Sequence, residues 1–266
     1  MLASALVSIA LLATTAFAAP PSRSARMESR LARRREGAHL SRPNQRLESS
    51  SLNGGNVSHV DYSSNWSGAV LSSGAGTYKA VTASFVVPTP KAPSGGSGTY
   101  SASAWVGIDG DSCETAILQT GVDFTVDGGS VSYDAWYEWY PDYAYDFSGI
   151  PIKAGDTITV TVTASSTKAG KAVIENVTTG KTVTKSLTSS SALCEQDAEW
   201  IVEDYEEGSS LVPFANFGSV TFSGASATTS SGSVGPSGSD IIDLRQSGTV
   251  LTSVSTTSSS VTVSYV

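Results

Sequence analysis

Thr157-Ile158-Thr159-Val160-Thr161-Val162-Thr163 alternates hydroxyl and branched apolar side chains without a break. Successive side chains leave an extended strand on opposite sides, so a period of two marks a strand with one face buried. Ser260-Val261-Thr262-Val263-Ser264-Tyr265-Val266 repeats the pattern at the far end of the chain. From about residue 61 onward, short runs rich in Val, Thr, Ser, Tyr and Trp are separated by turn residues, among them Pro88, Gly95-Gly96, Asp127-Gly128-Gly129 and Gly155-Asp156. Such runs suit half-buried strands, and no stretch carries a comparable helical stripe. The expected solution over residues 61–266 is one all-β domain, an antiparallel β-sandwich of two sheets packed face to face. Ser223 to Ser239, poor in large apolar groups, is expected to form a loop or weak edge strands. No internal repeat of solenoid or propeller length is present.

The N-terminal portion reads differently. An apolar run from Leu2 to Leu12 leads into Ala16-Phe17-Ala18, a secretory signal over residues 1–18, so the chain is expected outside the cell. No other stretch is long and apolar enough to span a bilayer, and a membrane is not an expected partner. Residues 1–60 hold eight Arg, no Lys and three Glu, a net +5, whereas residues 61–266 hold eight basic and twenty-one acidic side chains, a net −13. The basic part, Arg23 to Arg46, has too few large apolar groups to build a core by itself. It is read as a pro-segment over residues 19–60, ending between 47 and 61, that docks on the acidic groove and inhibits it. Nucleic acid is not an expected partner of an exported chain.

Cys113 and Cys194 are the only cysteines, and in an exported chain such a pair is usually one disulfide. The only histidines, His39 and His59, precede the acidic domain. A Ser-His-Asp triad, a Cys-His pair and a histidine-bound zinc each need an imidazole within the folded domain, so carboxylates, amides, hydroxyls and backbone remain for chemistry. No metal or cofactor is expected. Asn56-Val57-Ser58, Asn65-Trp66-Ser67 and Asn176-Val177-Thr178 match the glycosylation sequon. Asn176, beside an expected turn at Thr179-Gly180, is the favoured acceptor.

Alternation also assigns faces. Asp134, Trp136, Glu138 and Tyr140 share one side of their strand, with Ala135, Tyr137 and Trp139 on the other. Two carboxylates among aromatic rings are costly to bury unpaired, so this face should line a groove or join a hydrogen-bonded network. Glu199, Ile201, Glu203 and Tyr205 share a face opposite Trp200 and Val202, and Glu206-Glu207 reads as a solvated acidic end. Trp105, Gly107 and Asp109 fall together, as do Thr115, Ile117 and Gln119.

Taken together, Ser64-Asn65-Trp66-Ser67-Gly68, Trp105-Val106-Gly107-Ile108-Asp109-Gly110, Ile117-Leu118-Gln119-Thr120-Gly121, Asp134-Ala135-Trp136-Tyr137-Glu138-Trp139-Tyr140-Pro141, Glu203-Asp204-Tyr205-Glu206-Glu207 and Val212-Pro213-Phe214-Ala215 resemble, in order and spacing, the glutamic peptidases, or eqolisins. The resemblance covers nearly all of residues 62–266. It implies a sandwich of two curved sheets, of concanavalin-like or jelly-roll type, with an acid endopeptidase site on the concave face. It places the catalytic pair on Gln119 and Glu203. Trp66, Asp109, Asp134, Trp136, Glu138 and Tyr140 fall on positions around the site or in contact with substrate, and Cys113 and Cys194 on the shared disulfide. The implied partners are polypeptide substrates and the chain's own pro-segment, and the chain is expected to be a monomer. The connection Gly208-Ser209-Ser210-Leu211 is shorter than in relatives with an extra disulfide-closed loop there.

The implied chemistry agrees with the residue types. Attack of water on an amide needs a base and a donor for the oxyanion. A carboxylate with an ordinary value of about 4.3 is poised for proton transfer at acid pH. A glutamine amide accepts from the water and donates to the oxyanion without titrating. Two other readings compete: a jelly-roll carbohydrate-active enzyme with Glu138 and Glu203 as paired carboxylates, and a lectin-like binding module using the same aromatics.

Overall fold

The computed structural model describes residues 39–47 and 60–266. Residues 1–18, expected to be a secretory signal, the basic residues from Arg23 to Arg35 and the Asn56 sequon lie outside them. Among the described residues the regular elements are all strands, so the all-β prediction holds.

One ten-stranded sheet runs in the order Arg46–Leu47, Val60–Ser63, Asp240–Gln246, Trp66–Ser72, Asp197–Glu203, Thr99–Ile108, Ile117–Asp127, Ser130–Tyr140 and Tyr145–Asp146, with Thr249–Val250 beside Asp240–Gln246. The facing eight-stranded sheet places Ala80–Val86 between Thr157–Ser166 and Ser219–Thr229. Neighbouring strands of both sheets pair antiparallel except where Asp240–Gln246 runs parallel to Val60–Ser63, and an isolated bridge joins Ser101 and Phe214 in parallel. Ile158, Val160, Val162 and Ala164 are buried while the intervening threonines are half-exposed, as the period of two requires. They meet Ala104, Val106, Leu118, Val122, Phe124, Trp200 and Val202 of the other sheet in the main core. At Asp127-Gly128-Gly129-Ser130 the two central glycines take φ of 54° and 84°, and Asp127 pairs with Ser130, a two-residue hairpin whose twist needs residues free to adopt positive φ.

Two sequence expectations are corrected. The expectation for Ser223 to Ser239 holds only in its second half, where Gly232–Val234 is a short exposed edge strand followed by a loop; Ser219–Thr229 is instead an eleven-residue strand paired with Ala80–Val86 on one side and with Ser260–Tyr265 and Gly232–Val234 on the other. Val220, Phe222, Ala225 and Ala227 fill its inward positions, so the apolar anchor lies just before Ser223 and two buried alanines carry the strand on. The ladder shifts between Ser223 and Ser226, where Gly224 has φ of 62°. Asn176 is fully buried: its Nδ2 donates to Pro151 O at 3.0 Å and Asp156 Oδ2 at 2.9 Å, and its Oδ1 accepts from Thr179 N at 3.1 Å. Its amide closes a turn and is not presented as a glycan acceptor. Cys113 and Cys194, 81 residues apart, are joined as expected.

Candidate active site

The side of the ten-stranded sheet facing away from the main core carries a second apolar cluster of Trp66, Val70, Trp105, Ile117, Trp136, Ala144, Ile201 and Ile242, with Tyr140 packed against it. All of these but Ala144, which lies in a loop, alternate along their strands with the residues that fill the main core. The same alternation brings Gln119, Asp123, Glu138, Glu199 and Glu203 to this side, all buried. The ladder sets Gln119 opposite Gly107 and Glu138, and Glu203 opposite Trp66 and Ser103. Gln119 and Glu203 therefore stand diagonally across the strand Thr99–Ile108, with Trp105 between them. Glycine on either side makes room for that indole. A Cβ on Gly121 would lie 2.4 Å from Trp105 Cβ, and one on Gly107 would lie 2.8 Å from the Trp105 ring and 2.5 Å from Glu199 Oε1.

The Trp105 indole N–H donates to Glu203 Oε2 at 2.8 Å. Burial drives the Glu203 carboxyl well above the usual range; the bond from Trp105 pulls it back in part, and Asp123 and Asp204 push it further up. Glu199 is likewise held well above its ordinary value by burial, then by Asp197, Asp109 and Asp111. Asp204 is pushed up to about 8 by burial, against a hydrogen bond from Gln246. The face thus combines carboxyl groups that burial pushes towards the protonated form, Glu199 and Glu203, with an indole donor and an amide.

Residues 39–47 lie across it. Gln119 Nε2 donates to the Ser41 carbonyl at 3.0 Å, the Ser41 N–H donates to Glu138 Oε2 at 3.1 Å, and the Trp66 indole N–H donates to the Arg42 carbonyl at 3.0 Å. Gln119 Oε1 is buried and accepts no hydrogen bond among the described residues. His39 lies fully buried, its ring centroid 4.2 Å from that of Tyr205 and 5.7 Å from that of Trp136, with Nδ1 3.6 Å from Asp123 Oδ2. Arg42 Nε donates to Glu206 Oε2 at 2.6 Å, and Arg46 bridges Asp111 and Asp61. His39–Leu40 also pairs as a strand with Glu206–Glu207, which pairs in turn with Ser210–Leu211 across Gly208.

Of the residues singled out from sequence, Gln119, Glu203, Glu138, Trp66 and Trp136 converge around Ser41 and its neighbours. Trp136 presents its ring to His39 and donates to Ser103 Oγ at 3.0 Å. Asp134 pairs across the ladder with Asp123, and Tyr140 packs at the edge of the apolar cluster. Asp109 has a different setting: its strand ends at Ile108, it takes φ of 70°, and its carboxylate accepts from the backbone N–H groups of Cys194, Glu195, Gln196 and Asp197. It ties down the disulfide loop. Residues that the sequence reading left out of the site are Trp105, Asp123 and Glu206. Alternation placed Trp105 on the right face, and the same step from Gln119 through Gly121 reaches Asp123. Nothing in the sequence distinguishes Glu206 from a solvated surface acid.

The peptidase A4 family model matches residues 64–265. The chain is 52% identical over 276 residues to aspergillopepsin-2 of Aspergillus niger, covering 96% of each protein. It is 41% identical over 273 residues to scytalidopepsin B of Scytalidium lignicola, covering 99% of this chain and 96% of that protein. A crystal structure of scytalido-glutamic peptidase with a transition state analog inhibitor aligns with a TM-score of 0.70 at 44% identity, covering 76% of this chain and 98% of that one.

Proposed function

This chain belongs to the peptidase A4 family and is a glutamic endopeptidase; from that premise we propose that it is secreted, works at acid pH, and uses Glu203 to activate water and Gln119 to hold the oxyanion. The observation that carries this reading is the Gln119 Nε2 bond to a peptide carbonyl, that of Ser41, with Glu203 and the next residue of the segment, Arg42, lining one cavity. A donor aimed at a peptide oxygen in a buried site is the element that stabilises a tetrahedral intermediate.

Gln119 Oε1 is left to orient the attacking water. Glu203, steadied by the Trp105 indole, takes a proton from that water as its oxygen adds to the carbonyl carbon. It then delivers the proton to the leaving nitrogen as the C–N bond breaks. The base must be ionised. With residues 39–47 in place, burial raises the Glu203 carboxyl well above its usual range and the residue is closed to solvent; once they leave, hydration lowers the carboxyl towards the acid range where it can work.

Residues 1–18 serve as the signal and residues 19–60 as a basic pro-segment whose part 39–47 keeps the enzyme latent. Opposite charge supports this: Arg42 meets Glu206, and Arg46 meets Asp111 and Asp61. As the medium acidifies, carboxylates take up protons and these attractions fade. Cleavage between Arg46 and Asp61 then makes release permanent. The test of the chemistry is substitution in the full chain. After acid activation the wild type should cleave an unfolded protein at pH 3.5, whereas Glu203→Gln and Gln119→Ala should fold, shown by an unchanged circular dichroism spectrum, and be inactive. Near wild-type turnover by either variant refutes the role given to that residue.

A further inference from the structure

The backbone of residues 41–43 is gripped through its peptide groups alone. The Ser41 N–H goes to Glu138, the Ser41 carbonyl to Gln119, the Arg42 carbonyl to Trp66, and the Pro43 carbonyl accepts from Asn65 Nδ2 at 3.2 Å. None of these bonds depends on which side chains the segment carries. They fix both chain direction and register, and they bring one bond, Ser41–Arg42, to the Gln119–Glu203 pair. The strand pairing of His39–Leu40 with Glu206–Glu207 continues this backbone grip on the N-terminal side.

With the register fixed, the first side chain past that bond is read by Glu206. Its carboxylate accepts from Arg42 Nε at 2.6 Å and is 18% exposed. It stands on the short hairpin Glu206–Glu207/Ser210–Leu211, whose first strand also pairs with His39–Leu40. A cavity of about 180 Å³ lies beside Arg42, lined by Asn65, Glu203, Asp204, Glu206 and Leu211 among others. It has room for a long side chain, and Glu206 is the wall group that meets the cation directly.

We infer that residues 39–47 lie in the register of a substrate, with Ser41–Arg42 in the place of the bond to be cut, and that Glu206 determines specificity by selecting a cationic side chain immediately C-terminal to that bond. The inference rests on the reading that Gln119 and Glu203 carry the chemistry. In the step it implies, water adds to the carbonyl carbon, the bond to the following nitrogen breaks, and one fragment leaves as a carboxylate and the other as an amine.

The test uses the full chain after acid activation and quenched fluorescent peptides copying residues 38–47, with Arg, Lys, Ala or Glu at the place of Arg42. At pH 4.5 the cut should fall after the serine, located by mass spectrometry. The kcat/KM for Arg should exceed that for Ala by about tenfold, the lower end for a half-exposed charge-assisted hydrogen bond. The Arg-to-Ala ratio cancels any loss of folded enzyme. It should fall towards one in Glu206→Gln, and in Glu206→Arg the Glu peptide should become preferred over the Arg peptide. A cut at another bond, no cut at all, or an Arg preference retained in Glu206→Gln overturns the inference. Glu203→Gln and Gln119→Ala are run on the same peptides. If they are inactive while Glu206→Gln keeps the preference, only the specificity assignment falls; if either stays active, the catalytic reading falls and takes the inference with it.

Discussion

Replacing Asp204 by Asn should flatten the decline in stability between pH 5 and pH 7. Asp204 is 1% exposed, accepts a hydrogen bond from Gln246 Nε2 at 2.6 Å, and has its Oδ1 without a hydrogen-bond partner among the described residues. Burial pushes its carboxyl up to about 8 in the folded chain, against about 3.9 for an unfolded aspartate. Because the folded value is raised, the folded state binds the extra proton across this window. Stability is greatest below about pH 4 and is lost as pH rises towards 8. Over two pH units the loss is ~2.7 kcal/mol, at 1.36 kcal/mol for each unit. In a chain of this size 1 kcal/mol moves Tm by about 2–4 °C, so the site accounts for roughly 5–10 °C of the fall between pH 5 and pH 7. Glu199, Glu203 and Asp243 are raised as well and steepen the same slope. The difference between parent and variant isolates Asp204. Thermal unfolding followed by circular dichroism, in a Gln119→Ala background that prevents self-digestion, gives the two slopes. An equal fall in Tm with and without Asp204→Asn would refute the buried, protonated state of this carboxyl.

A synthetic peptide of residues 23–46 added to mature enzyme at low ionic strength should inhibit strongly near pH 5 to 6, weakly near pH 3, and less in added salt; inhibition independent of pH, or none, would sink the electrostatic gate. Replacing Cys113 and Cys194 together by Ser should destabilise the chain by about 4 kcal/mol in the chain-entropy model for a loop of this length. Urea unfolding at pH 4 measures this, and an unchanged midpoint would show that the link contributes nothing.

Strand type and side-chain face were legible because they depend on neighbours two residues apart. The alternation in 157–163, 117–120, 134–140 and 198–205 is a local property of an extended chain, and it separated Trp200 and Val202 from Glu199 and Glu203 correctly. The pairing of Gln119 with Glu203 came from the resemblance of several segments at once, since no local rule links residues on strands that are not neighbours in the sheet.

The sequence by itself determined an all-β chain, a cysteine pair, the faces of the central strands, and a basic segment ahead of an acidic domain. Tertiary structure alone decided what each polar group meets. It drew Ser219–Thr229 into the middle of a sheet through buried Val220, Phe222, Ala225 and Ala227. It turned Asp109 away from its strand to collect four backbone N–H groups, and it buried the sequon amide of Asn176. It also carried Ser41 to Gln119, 78 residues away, and Arg42 to Glu206, 164 residues away. Hydrogen bonds and ion pairs act over a few ångströms in space, whereas the periodicity of a sequence reports only the direction in which a side chain leaves its own strand.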